Sequence, residues 1–166
     1  GLKPWAVMVT MMQIEFQNAG FSDQTGIDKQ VLAYAKKQNI TIGELETLEQ
    51  QLQMFDGMAL LSNEMIEETF EQLADINTYF IKLVNAWKNG DMDTLTEYYN
   101  MSFDESNYGE ISEQVMLVNR NNKWVEQLVP RLTNEKLFIA VGALHLPEQH
   151  GLIKQLTDAG FTITRL

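Results

Sequence analysis

Three residues of this chain have the types that acid–base or electrostatic chemistry needs, and each lies beside an apolar run: His145, Glu46 and Arg120. His145 ends the stretch AVGALH, three residues after Gly142, and Glu46 closely follows the β-branched run ITI at 40–42. An imidazole and a carboxylate are the smallest set for general acid–base work, or part of a metal site that needs three or more nitrogen and oxygen ligands. A Gly-x-x-His match also arises easily by chance, and the same spacing suits a hydrogen-bonded histidine packed at a strand end. Arg120 and Trp124, in VNRNNKW, are one turn apart on a predicted helix and share a face. A guanidinium there either binds an anion, orients a carboxylate such as Glu46, or simply lies over the indole. His150, in the polar stretch PEQH, reads as a surface residue, and Asp28 as a helix-start residue favoured by the dipole rather than a ligand.

Other chemistries find no support. The chain has no GxSxG elbow, Walker A loop, GxGxxG, HExxH or EF-hand loop. The absence of cysteine excludes disulfides, thiolate metal sites and a cysteine nucleophile, and it suits a cytoplasmic and a periplasmic protein equally. A formal charge of −11, from 12 basic and 23 acidic residues, repels phosphate backbones, so nucleic acid is not an expected partner. No apolar run approaches the roughly 20 residues needed to span a bilayer, and the N-terminal stretch GLKPWAVMVTMM lacks the pattern of a signal peptide.

The elements that must position these residues are read from periodicity. Helical spacing covers 5–19 up to Gly20, then 26–39, then 47–57, where Asp56 and Gly57 are expected to end the helix. From Ser62 to Lys88 the apolar residues follow a seven-residue repeat, which predicts one long central helix of roughly 40 Å. NGD at 89–91 stops it and caps a short helix, and a further helix is expected from Glu110 to Val129 with Pro130 near its end. In the last third, KLFIAVGALHL and FTITRL read as buried strands either side of an amphipathic helix closed by Gly160. That is a C-terminal β-α-β unit, whose strands normally lie parallel, and ITIGELE supplies a third strand. The expected class is α/β, helix-rich, with a short mixed or parallel sheet. Ligands in such sheets bind beyond the strands' carboxyl ends, where both His145 and Glu46 fall.

Six stretches in order, LKPWAV (2–7), GIDKQVLAYAKKQN (26–39), GELETLEQQL (43–52), AWKNGDMDTL (86–95), NRNNKW (119–124) and VGALHLPEQHGLIKQLTDAGFTITRL (141–166), carry a resemblance that covers nearly the whole chain. The chain resembles the C-terminal portion of the TraB/GumN family, relatives of the Tiki proteins. The resemblance implies one active site built from two GxxH motifs, a glutamate in an LET segment and an arginine in an NRN segment. The second GxxH corresponds to Gly142–His145, the glutamate to Glu46 and the arginine to Arg120. For Tiki relatives the implied activity is metal-dependent proteolysis, with His145 and Glu46 among the ligands of a divalent ion such as Mn²⁺ or Co²⁺. For GumN and TraB relatives it is an association with polysaccharide clusters or peptide-pheromone inhibition. The first GxxH, expected ahead of the LKPW segment, does not occur among the 166 residues. Residues 1–166 are therefore expected to form part of a single family domain that lacks its N-terminal GxxH part, to be inactive and to bind metal weakly or not at all. Such a fragment is expected to self-associate as a homodimer. The intact protein is expected in the periplasm or cell envelope, acting as a hydrolase or, alternatively, holding a peptide or other small ligand without chemistry.

Overall fold

The structure is a computed structural model that describes residues 3–74 and 76–166. Its regular elements are helical throughout. In chain order they are α1 (Pro4–Asn18), α2 (Ile27–Lys37), α3 (Leu48–Gly57), α4 (Ser62–Ala74), α5 (Ile76–Asn89), α6 (Met92–Ser102), α7 (Asn107–Glu113), α8 (Asn119–Leu132) and α9 (Leu152–Asp158).

Local sequence explains where these helices begin. Pro4 opens α1, where its missing N–H costs nothing. Thr47 and Gln50 form a reciprocal capping box at α3, with Gln50 N–H donating to Thr47 Oγ1 at 3.2 Å and Thr47 N–H to Gln50 Oε1 at 2.7 Å. Asp91 accepts from the Thr94 N–H to start α6, and Ser106 from the Gly109 N–H to start α7. Asp28 lies in the first turn of α2, as a helix-start acid should.

The seven-residue repeat from Ser62 to Lys88 is helical on both sides of Asp75, which lies outside the described residues, as α4 and α5. One expectation about helices needs amendment. The expected helix at 110–129 is longer and is interrupted by a π turn at Gln114–Val118, joining α7 to α8, in which the Asn119 N–H reaches back five residues to Gln114 O. Pro130 sits in the last turn of α8, near the helix end as expected.

The expected α/β class is overturned, since no strand occurs among the described residues and neither the sheet nor the β-α-β unit forms. The reason is visible at 137–141. Leu137, Ile139 and Val141 pack against the cluster of Trp124, Leu128 and Leu152, while Phe138 between them is 83% exposed. This is the period-two burial of a half-buried strand. However, the segment satisfies it by packing on α8 and α9 and not by pairing. Apolar β-formers record a preference for such a surface, and no residue among them specifies a ladder partner. At the other expected strands Ile40, Ile42 and Ile163 are exposed, and Arg165 donates to Gly90 O at 2.5 Å.

Two apolar clusters organise the interior. Met58, Leu61 and Met65 gather Trp5, Met8, Tyr108, Ile111 and Val115 where α1, α4 and α7 meet. Trp124, Leu128 and Leu152 gather Leu45 and the 137–146 segment around α8. Residues 45–46 thereby reach the side of α8, which brings Glu46 to Arg120.

Candidate functional site

The site is built outward from the buried face of α8. Asn121, Trp124 and Leu128 follow at i, i+3 and i+7 and are 1%, 4% and 2% exposed. Arg120 leaves the helix at the edge of this face. Its Nε donates to Glu46 Oε2 at 3.0 Å and its Nη2 to Glu46 Oε1 at 2.6 Å, a two-point grip on the carboxylate. Its Nη1 donates to the carbonyl of Met116, within the π turn, at 2.8 Å. The guanidinium carbon lies 4.9 Å from the centre of the Trp124 ring.

Glu46 stands one residue before the cap of α3, and its Oε1 also accepts from Gln51 Nε2 at 3.0 Å. Burial works to raise the carboxyl's pKa. The hydrogen bonds from Arg120 and Gln51 and the positive charge of Arg120 outweigh it, and the net result lies below the ordinary carboxylate value. Glu46 is therefore ionised at neutral pH.

His145 closes a single 3-10 turn at Ala143–His145, its N–H donating to Gly142 O at 3.0 Å. The ring is 7% exposed and tilts against Trp124 with centroids 4.5 Å apart. Nδ1 lies 2.7 Å from Asn121 Oδ1, whereas Nε2 makes no hydrogen bond among the described residues. Burial first, and then the charge of Arg120, push the imidazole's pKa down to about 4 against the opposing pull of Glu46. His145 is neutral at pH 7.

The chain thus places Glu46, Arg120 and His145 in one contiguous set linked through Trp124. Arg120 does two of the things its spacing allowed, orienting Glu46 and lying over the indole. The set does not gather at the carboxyl ends of a sheet, because no strand occurs among the described residues. His150 is exposed, and only its backbone carbonyl takes part, accepting from Asn121 at 2.8 Å.

Asn121 and Gln51 are partners that the sequence reading passed over. Asn121 had a signal in the sequence: it is a polar residue at helical spacing from Trp124 and Leu128, on a face that must be apolar to be buried. Gln51 had none.

The side chains present do not by themselves fit a metal ion. Both oxygens of Glu46 are taken by Arg120, whose positive charge would also face an incoming cation. His145 Nε2 is then the single open donor of the set, and no group of three or more His, Asp or Glu able to hold a metal occurs among the described residues.

Comparison with known proteins supports the family resemblance. The chain is 24% identical over 152 residues to Uncharacterized protein YbaP of Escherichia coli (strain K12) and, to the same extent, to its counterpart of that name in Shigella flexneri. The match covers 92% of this chain and 55% of each relative, so the chain spans about half the length of the curated relatives it matches. No solved structure matches it. Among the described residues no helix is long and apolar enough to cross a membrane. The model of the TraB/PrgY/gumN family matches residues 1–165, and the chain belongs to that family.

Proposed function

We propose that this chain supplies the imidazole and the guanidinium–carboxylate pair of a hydrolytic site whose remaining groups lie outside these 166 residues, with peptides as the substrate class. The observation that carries this reading is a neutral, nearly buried His145 with an uncommitted Nε2, held beside a fixed cation. A neutral imidazole can accept a proton from a water attacking the carbonyl carbon and return it to the leaving amine as the C–N bond breaks. Three of the five N–H groups of Arg120 are engaged with Glu46 and Met116, which leaves donors for a developing oxyanion.

The low basicity that keeps His145 unprotonated also makes it a weak base. Activating water then needs help from elsewhere in the protein, and the 166-residue chain alone is inactive in this account. Metal-dependent hydrolysis would require at least two further ligands from outside these residues, and no step here is routed through an ion. A location in the periplasm or envelope accompanies this reading on the strength of the resemblance. An export signal on the intact protein supports it, and a cytoplasmic start contradicts it.

A second reading has its own observation. Arg120 is already gripped by Glu46, Met116 and the Trp124 face, which is also how a structural clamp looks, so the intact protein could sequester a peptide or other small ligand without chemistry. Incubating the full-length protein with a peptide library, with and without Mn²⁺ or Co²⁺, separates the two. Turnover that His145→Ala abolishes supports the hydrolase. Binding without turnover, unchanged in His145→Ala, supports sequestration.

A further inference from the structure

We propose that Asn121 is the positioning residue of this site: it fixes His145 as the Nδ1–H tautomer, so that Nε2 presents a lone pair and not an N–H to an incoming molecule. Within the hydrolase reading, this decides that the ring serves as a proton acceptor.

The orientation of the Asn121 amide settles the assignment. Its Nδ2 lies 2.8 Å from His150 O and 3.3 Å from His145 O, two backbone carbonyls that can only accept. The nitrogen end of the carboxamide must therefore face them, and a flipped amide would set oxygen against oxygen in a site only 1% exposed. Oδ1, which has no hydrogen to give, is then the atom 2.7 Å from His145 Nδ1. The hydrogen between them can only belong to the histidine. With Nδ1 protonated and the ring neutral, Nε2 carries the lone pair.

The same amide holds the loop as well as the ring. It bridges the carbonyl at the end of the 3-10 turn and the one just before Gly151, which starts α9. One buried side chain on α8 thereby ties the histidine's backbone, its ring and the following helix to a single helical position. The consequence for chemistry is that an Nε2–H donor role for His145, such as donation to an oxyanion in the resting state, is excluded.

The test is nitrogen NMR of histidine-labelled 166-residue chain near pH 7, with His150→Gln used to assign the two rings. The tautomer is read from which ring nitrogen is unprotonated: Nε2 correlates with both carbon-bound ring protons, and Nδ1 strongly with one. The expected result is an unprotonated Nε2 in the unsubstituted chain. In Asn121→Leu, the Nδ1–H population should fall and Nε2–H should appear. The spectrum of the unsubstituted chain decides the proposal even if the leucine variant does not fold. A protonated Nε2 in the unsubstituted chain, or an unchanged pattern in a folded Asn121→Leu, overturns it. In the full-length protein Asn121→Leu should lower kcat by about 10- to 100-fold with little change in KM. Absence of any turnover sinks the hydrolase reading and leaves the tautomer assignment standing on the spectra.

Discussion

Arg120 holds Glu46 across 74 positions of sequence with two nitrogens on two oxygens, at 2.6 and 3.0 Å, and the side chains keep only 21% and 11% of their exposure. This contact joins the start of α3 to the start of α8. Removing the cation leaves a largely buried carboxylate with the Gln51 amide but no opposite charge to compensate it. Arg120→Met should lower stability by about 2–3 kcal/mol, somewhat less than for a fully buried pair because a fifth of the arginine is wet. Adding Glu46→Gln should recover at least about 1 kcal/mol of that loss. Urea denaturation of the two single variants and the double variant checks both figures, and additive losses would show that the pair is not coupled.

Acid should destabilise the chain in a definite window. The folded-state pKa of His145 is depressed from 6.5 to about 4, so between those values the unfolded state binds the proton that the folded state refuses. Stability is fully present above about pH 6.5 and is lost as pH falls toward 4, by on the order of 2 kcal/mol after allowing for the ring's wet edge. Glu46, whose carboxyl is held below its usual value, acts in the same direction at lower pH: its contribution is present above the ordinary glutamate range and disappears as pH drops through the folded value. Denaturant midpoints between pH 7.5 and 4 should therefore fall, and fall less in His145→Gln. A flat profile contradicts the burial of a neutral imidazole.

The two glycines flanking His145 should respond very differently to alanine. A Cβ on Gly151 would meet Pro147 O at 1.9 Å and Leu146 O at 2.3 Å, both backbone atoms that cannot swing away. Gly151→Ala should cost at least about 2 kcal/mol. A Cβ on Gly142 would lie 3.6 Å from the imidazole Cδ2, an ordinary contact, at a backbone φ of −59°. Gly142→Ala should stay within about 0.5 kcal/mol of the parent. Thermal melts of the two variants measure the contrast, and equal destabilisation would show that the loop is not held as described.

Self-association of the 166-residue chain is expected from its helix faces. The described residues present no bare sheet edge to drive it, but Ile14 on α1, Phe70 on α4 and Ile81 and Trp87 on α5 are 50%, 56%, 56% and 47% exposed. Sedimentation should show a dimer as concentration rises. A monomer throughout contradicts this.

The helices were largely legible because their signals are local. Thr47 and Asp91 stand where helices were expected to start, whereas Ser106 caps α7 ahead of the expected start at Glu110, and Gly20, Gly90 and Gly160, all with positive φ, mark stops that only glycine makes cheaply. The sheet was misread because Leu137, Ile139 and Val141 need a surface, and α8 with α9 supplies one as well as a neighbouring strand would. The link between Arg120 and Trp124 was readable as one turn of helix. The approach of Glu46 was one alternative for Arg120 and was singled out only by the family resemblance, since nothing near residue 46 encodes a partner 74 residues away. Asn121 was passed over because a polar residue inside the polar-looking NRNNKW does not stand out until its spacing from Trp124 and Leu128 is weighed.

The most direct measurement is kcat of the full-length protein on a hydrolysed library peptide, compared between the parent and a folded His145→Ala variant. A loss of at least about 100-fold is expected, because the proton acceptor is gone while Arg120 and Glu46 remain paired. Undiminished turnover in His145→Ala would contradict it and remove His145 from the reaction.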